Sequence, residues 1–589
     1  MDLLALTGVA LALAATAAAA HAARSGAASR RAVRTALACL VFAALCLRIP
    51  PAAHLGLAPW DERYHALVAK NALADPFVPK LVVDPLTEPA PGDWLHAHVW
   101  LHKPPLMTWL IAASYGLFGV NELALRVPSV LLSSALVCLV FAIARRFASE
   151  RAALVAAALA AWHARSLLLV AGVRATDHVD VGMTFAVALG ALAALRSAES
   201  LGRAGFWPRI ALTGAATAGA YYVKETPALV VPAILFFALA AHGASWRVRI
   251  AATGAALGVA LALVLPWQLY TAHAFPELAA FARARGRRYF LTVVDSQGGP
   301  WYFHLANLPL DFGWLAPLAL AWLGFESLRK RPELRPLAAW VALVYLVFTL
   351  AATKMQSYVL IAAPPVFAAL GWLARDALPR RLHRVALLAL AANAAFSVWS
   401  VEAPLEDKAR DPLWARELRR LGDEVERLPA GKRVVFGVAS PTECMFYARA
   451  TCVREQPSAE QVEQARAAGF AVAVYGPSQL AGVTSIPFDP RTLAARRLAS
   501  ELRRAGTREA LVFNARNAAD LRAYLGRSLR HASVSGDLPA PSRWLERKLA
   551  HGAMLAVLLP PGIAPPEAVR AAFPKALFLD DETYGRELH

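Results

Sequence analysis

Charge is scarce in this sequence. Asp, Glu, Lys and Arg make up 17% of its 589 residues while 58% are apolar, against roughly 25% charged in soluble chains. A chain that cannot coat itself with charge, and whose apolar runs of eighteen or more residues recur through its first two thirds, is excluded from the soluble globular class. A polytopic α-helical membrane protein is expected instead. Cysteine is scarce as well: there are five, with no metal-ligand spacing. Cys39, Cys46 and Cys138 lie in apolar runs, whereas Cys444 and Cys452 lie in the more polar tail, where a disulfide and two buried thiols are equally open readings. A basic leader is missing too. Only Met1 and Asp2 precede the first apolar run, 3 to 22, so that run reads as a membrane helix with its N-terminus outside rather than as a signal peptide.

What charge there is carries information. The formal net charge is +19, but Lys and Arg fall in short clusters between the runs, as an inside-positive topology requires, and nucleic acid is not an expected partner. Arg24, Arg30, Arg31 and Arg34 place the first connection in the cytoplasm and send the next helix, about 35 to 52, outward. Later spans fall at about 124–143, 152–171, 181–195, 209–223, 227–241, 250–268, 301–325, 337–353, 357–373 and 384–401. Basic connections at 196–209, 246–249, 328–335 and 375–384 make the total about twelve crossings with both termini outside. Asp61, Lys103, Asp177, Asp180, Lys224, the arginines of 283–288 and Lys354 then emerge on one side.

The expected domains are a membrane domain, 1–402, and a soluble extracytoplasmic α/β domain, 403–589. The tail shows apolar strand patterns at 433–438, 470–475, 510–514 and 554–559, alternating with helical patterns at 458–468, 490–505 and 516–531. Within the membrane domain, an extracytoplasmic loop at 61–118 carries two interfacial helices, 61–73 and 104–118.

That loop is the polar centre of the chain. It reads W-D-E-R-Y-H from Trp60, then L-H-K-P-P-L from Leu101, then G-V-N-E-L-A-L-R-V-P-S from Gly119. Ionisable groups are expensive in lipid, so such a stretch must sit at the surface or line a cavity. The three motifs in this order resemble the first extracytoplasmic loop of the GT-C integral-membrane glycosyltransferases, above all the bacterial branch with the aminoarabinose transferase of lipid A and the related protein O-mannosyltransferases. The resemblance runs from about Thr35 to Trp399 and departs at His102, where the family usually has Glu. It implies an inverting transferase of the bacterial inner membrane that needs no cofactor and acts as a monomer. The donor would be a polyprenyl-phosphate sugar, and the acceptor a hydroxyl or phosphate of a lipid, glycan or protein at the outer face.

The residues allow that chemistry and blander roles beside it. Asp61 precedes a helical pattern, so it suits an N-cap with Glu62 in the first turn, and equally a general base taking the acceptor's proton. Neighbouring helical positions point about 100° apart, so only one of the two can face a reaction centre. The resemblance makes that Asp61, with Glu62, Arg63 and Tyr64 beside it. Lys103, before Pro104 and Pro105, is either a snorkelling lysine or, as the resemblance implies, the seat of the donor phosphate, with His102 adjacent.

Asp177 and Asp180 read as loop carboxylates before an apolar run, and Asp180 better matches the family's second acidic motif; His178 is taken as a bystander. Lys224 stands where the family reads T-K-G-P, but Glu225 and Thr226 replace the glycine, and a local Lys224–Glu225 pair is expected. Arg283, Arg285, Arg287 and Arg288 read as an outer loop that anchors headgroups or cradles a lipid phosphate. Lys354 and Tyr358 resemble the family's S/T-K-x-x-x-Y element. His96, His98 and His102 match no standard metal spacing, so a divalent ion is not indicated.

Two other classes compete. A glycosidase would need paired carboxylates and open access to water. A lipid-linked-sugar transporter or binding subunit would share the lipid and the cations without chemistry, but broken helices and internal repeats are its usual marks, and no clear repeat is visible.

Overall fold

A computed structural model of the chain describes residues 3–25, 30–58, 60–86, 97–173, 177–294, 297–401, 413–489, 498–499, 501–502, 509–515, 521, 525, 531–550, 553–559 and 563–580. The chain separates into two units. The first comprises Met1–Ala53, Ala58–Val83 and Glu88–Leu405; the second comprises Glu406–His589 with two short pieces of the early loop, His54–Leu57 and Asp84–Thr87.

In the first unit every expected apolar run is helical. The elements are α1 (Leu3–Ser25), α2 (Arg30–Ala52), α3 (Asp61–Asn71), α4 (Leu106–Phe118), α5 (Glu122–Ala144), α6 (Glu150–Ala161), α7 (Ala164–Val170), α8 (Asp177–Glu199) and α9 (Phe206–Lys224). They continue with α10 (Val230–Ala241), α11 (Trp246–Ala274), α12 (Pro276–Leu291), α13 (Phe303–Phe312), α14 (Ala316–Arg329), α15 (Arg335–Leu350), α16 (Ala363–Trp372) and α17 (His383–Ser400). Among the described residues, eight helices are long and apolar enough to cross a membrane, or ten if the bent pairs α6/α7 and α13/α14 each count as one span. The runs at α9 and α10 are helical but fall short of that measure. The loop helices are α3 and α4. Two stretches read as loops are helical instead: Asp177 and Asp180 lie in the first turn of α8, and the arginines of 283–288 lie on α12.

Small residues let the spans approach closely. A Cβ at Gly371 of α16 would run into the Ala152 carbonyl of α6, and one at Gly214 of α9 into the Ala256 carbonyl of α11. In lipid, such backbone contact replaces the hydrophobic drive that water provides.

The helix breaks have polar partners. α6 and α7 bend by 41° and α13 and α14 by 109°, each leaving carbonyls without a helical donor. Arg48, fully buried, donates to the carbonyls of Ala161 at 2.7 Å and Ala160 at 3.0 Å, and its Nε reaches Ser133 Oγ at 3.0 Å. His163, in the first break, hydrogen-bonds through Nε2 to the Asp311 carbonyl, at the second, at 3.0 Å.

The second unit contains two parallel four-stranded sheets rather than the single layer expected. Their orders are β2-β1-β3-β4 and β6-β5-β7-β8, the same winding used twice. The strands are β1 (Lys432–Phe436), β2 (Thr451–Cys452), β3 (Phe470–Tyr475), β4 (Thr484–Ile486), β5 (Glu509–Phe513), β6 (His531–Val534), β7 (Met554–Leu559) and β8 (Leu577–Asp580). All four strands expected from the sequence are central ones: β1, β3, β5 and β7. The edge strands are short, and two of them, β2 and β4, offer few buried apolar positions to detect. The helix expected at 458–468 runs from Ala459 to Ala467 behind a Ser458–Gln461 capping box. The helical patterns at 490–505 and 516–531 lie largely outside the described residues.

Cys444 and Cys452 form a disulfide with Cα atoms 6.2 Å apart, which decides between the two open readings. The closed loop is short, with a sequence separation of 8, so replacing both cysteines by serine should cost about 2–3 kcal/mol. Both thiols should resist alkylation in the unfolded, unreduced chain. Labelling of either without reductant would contradict the pairing.

Candidate active site

A cavity of about 1510 Å³ lies within the membrane unit. Asp61, Arg63, Tyr64, His102, Lys103, Lys224, Arg287, Lys354 and Tyr358 line it, together with Arg283 and Glu225. Residues from five separate segments thus share one wall.

Asp61 reaches the cavity because it is the first residue of α3. Trp60 occupies the cap position and no side-chain cap bond forms, so the N-cap role expected for Asp61 is not realised. Its Oδ2 lies 3.7 Å from Lys103 Nζ, both side chains being mostly buried. Pro104 and Pro105 fix the chain between Lys103 and α4. Burial alone would raise the Asp61 carboxyl, but the nearby positive charge, Lys103 foremost, holds it at about 2. Burial and then Lys103 hold the His102 imidazole well below its ordinary value, so it is neutral. His102 sits edge-on to Trp100 at 5.4 Å and 6.3 Å from Tyr289. Tyr64 stacks on Trp100 at 6.1 Å, and Arg63 lies over the Tyr64 ring and donates to its hydroxyl at 3.0 Å.

Lys224 does not pair with Glu225. Its Nζ meets Asp180 Oδ1 at 2.5 Å and lies 4.5 Å from the centre of the Tyr358 ring, which packs against Phe348 at 4.9 Å. Asp180 is buried on α8 and off the cavity wall, so it holds Lys224 rather than facing a ligand itself. Asp177 begins α8, but its side chain lies outside the described residues. Glu225 instead faces the cavity. Burial raises its carboxyl, while Lys103 and Arg283 pull it down.

On α12, Arg283 and Arg287 are four residues apart and share the face that lines the cavity. Arg288, expected beside them, does not line it. Arg285 turns toward Tyr289, with its guanidinium 5.7 Å from that ring. Lys354 lines the wall, but its Nζ donates to the carbonyls of Phe348 at 3.1 Å, Thr349 at 2.5 Å and Ala351 at 2.5 Å. All three hydrogens of its ammonium are thereby directed at the open end of α15.

Glu62 is the clearest correction to the expected catalytic set. It is fully buried, away from the cavity, and paired with Arg126: Nε to Oε1 at 2.7 Å and Nη2 to Oε2 at 3.3 Å. Oε2 also accepts from the Ala58 amide at 2.5 Å, and His178 Nε2 lies 3.4 Å from Oε1 while its Nδ1 meets Ser129 Oγ at 2.8 Å. Gly172, with φ +69°, must stay glycine, since a Cβ there would overlap the Glu62 carboxylate. His178 is thus a packed partner of Glu62 rather than a bystander. Sequence reasoning also passed over Arg126, although it stands in the quoted motif after Gly119, and over Arg165, Asp311 and Gln356, which line the same cavity. An arginine in an otherwise apolar run was the available signal at Arg126.

His98 bonds through Nδ1 to the Val82 carbonyl, while His102 faces the cavity, and His96 lies outside the described residues. Among the described residues no three His, Cys, Asp or Glu side chains gather in a metal-binding group.

Known proteins resemble the chain in both sequence and fold. Residues 102–270 match the family model described as dolichyl-phosphate-mannose-protein mannosyltransferase, a stretch holding Lys103, Asp180 and Lys224 but not Asp61. The fold is that of the GT-C membrane glycosyltransferases: the crystal structure of ArnT from Cupriavidus metallidurans bound to undecaprenyl phosphate aligns with a TM-score of 0.54 at 16% identity, covering 76% of this chain and 89% of that one. The apo form aligns with a TM-score of 0.52, over 78% and 90% of the two chains at 16% identity.

In sequence the chain is similar to the undecaprenyl phosphate-α-4-amino-4-deoxy-L-arabinose arabinosyl transferases. The Pseudomonas paraeruginosa protein is 28% identical over 311 residues, 51% of this chain and 55% of that one. A Sodalis glossinidius relative is 28% identical over 338 residues, 56% and 59% of the two. The chain spans little more than half the length of the curated relatives it matches.

Removing one member of the buried pair strands the other, at a cost of about 3–5 kcal/mol. Glu62→Ala and Arg126→Ala should therefore each lower the thermal midpoint in detergent markedly. A wild-type midpoint in both would show that the pair does not hold this corner together.

Proposed function

We propose that the chain is an inverting glycosyltransferase that moves a sugar from a polyprenyl-phosphate donor to a hydroxyl of a lipid, glycan or protein at the outer face of a bacterial inner membrane. The observation that carries this reading is the Asp61 carboxylate 3.7 Å from Lys103 on a wall that also holds Arg283 and Arg287. The acceptor oxygen attacks the anomeric carbon as the bond from that carbon to the phosphate oxygen breaks. The electron pair leaves with the phosphate, and the acceptor proton passes to Asp61. Lys103 and the two arginines stabilise the negative charge that grows on the phosphate. Lys354 is left out of this role because its ammonium is committed to backbone carbonyls.

The cavity's size agrees with the donor. At about 1510 Å³ it exceeds the roughly 300–1,000 Å³ of ordinary small-molecule pockets, and Leu229, Leu343, Val347, Leu360 and Ile361 give it apolar walls for a lipid chain. The relatives' names point to an undecaprenyl carrier and a pentose. If the acceptor is a phosphate rather than a hydroxyl, the same cations serve and the base matters less.

The broken helices favour a second reading, a transporter of lipid-linked sugar. Asp61→Asn separates the two. A transferase should keep its fold and its donor binding and lose about 100- to 10,000-fold in turnover. Transfer at the wild-type rate would remove Asp61 from the chemistry.

A carboxylate held at about 2 is ionised throughout the working range, so it adds no acid limb to the rate. The pH profile of kcat/KM should stay level down to about pH 5. A midpoint of lost activity near pH 6 that disappears in Asp61→Asn would contradict a base already ionised at neutral pH.

A further inference from the structure

Away from Asp61, the cavity wall carries a second polar group that the reaction as described does not use. Arg165 on α7, Asp311 on α13 and Gln356 after α15 all line the cavity and all meet at one carboxylate. Arg165 Nε lies 3.2 Å from Asp311 Oδ1, and Gln356 Nε2 donates to the same oxygen at 2.8 Å. The Asp311 side chain is fully buried, and its other oxygen, Oδ2, has no hydrogen-bond partner. A buried carboxylate oxygen without a donor is costly, so its retention asks for an explanation. The three residues stand at breaks between helices, with His163 tying the Asp311 backbone to the α6/α7 break.

The two ends of the wall differ in charge. Around Asp61, the cations Arg63, Lys103, Arg283 and Arg287 outnumber Asp61 and Glu225, which suits a phosphate. Arg165 and Asp311 balance each other, and the spare oxygen accepts hydrogen bonds, which suits a neutral or cationic donor group. Gln356 bonds Asp311, and Tyr358, two residues on in the same 3-10 turn, packs against Lys224, so one short turn touches both clusters.

We propose that Arg165, Asp311 and Gln356 form the subsite that holds the transferred sugar, with Asp311 Oδ2 accepting a hydrogen bond from a sugar hydroxyl or ammonium. This rests on the transferase reading and names a contact within the same cavity. Arg165 and Gln356 fix the carboxylate through Oδ1 and leave Oδ2 for the sugar. Specificity follows from it, because a sugar lacking the donor leaves Oδ2 unsatisfied.

The test compares two lipids on the full-length protein in detergent: undecaprenyl phosphate, and undecaprenyl phosphate carrying a pentose with either an amino or a hydroxyl group at one position. In Asp311→Asn, affinity for the sugar-bearing lipids should fall about 10- to 100-fold while undecaprenyl phosphate binds as to wild type. A larger loss for the amino sugar identifies an ammonium as the partner; equal losses identify a hydroxyl. Gln356→Leu, which keeps the Arg165–Asp311 pair, should show the same selective loss in weaker form. Equal weakening of both lipid classes would make the cluster structural, and unchanged affinity for all would remove it from the site; either result overturns the proposal. If wild-type protein binds none of these lipids, it is the transferase reading that fails.

Discussion

The ion pair between Glu62 and Arg126 is the constraint on which the rest of the membrane unit depends. Both groups are fully buried, and neither could remain there alone. Arg126 also holds the end of α2 through the Ala52 carbonyl at 3.1 Å, and Glu62 holds the approach to α3 through the Ala58 amide. The start of α3 is therefore fixed from three directions. Asp61, one residue earlier on the same helix, points about 100° away from Glu62 and so meets the cavity. Two adjacent acids are given opposite fates by helix geometry: one is structural and neutralised in the interior, the other faces Lys103 in a cavity.

The same economy governs the cations. Arg48 and Lys354 both close the C-terminal ends of helices inside the membrane unit by donating to carbonyls that have no helical donor. Lys224 is held by Asp180 and the Tyr358 ring. A charge count along the sequence would credit all of these to the ligand. With those three committed elsewhere, Lys103, Arg283 and Arg287 are the cavity cations that the proposed reaction assigns to the phosphate.

Much of this was legible in the sequence because lipid is a demanding solvent. The apolar runs could only be helices, and the polar insert at 60–126 could only sit at a surface or line a cavity. Asp61, Lys103 and Lys224 could be picked out because they stand in the motifs that carry the family resemblance. The side-chain directions were not legible. Asp180 and Glu62 face inward because of partners, Lys224 and Arg126, that lie 44 and 64 residues away. Arg288 misses the wall because a helix, not a loop, carries it. Arg165, Asp311 and Gln356 were invisible for a related reason: they lie in three separate segments, and only the tertiary fold brings them to one carboxylate. In the second unit the buried central strands announced themselves, while the short edge strands, and with them the doubling of the sheet, did not.

The proposed sugar transfer is a single displacement, with one carboxylate taking the acceptor proton while fixed cations receive the leaving phosphate. The anomeric configuration of the product tests it most directly. Nuclear magnetic resonance of the first-formed glycoside, made from a donor of known configuration, should show inversion at the anomeric carbon. Retention would require a covalent sugar intermediate on a second carboxylate, and would contradict the account given for Asp61 and Lys103.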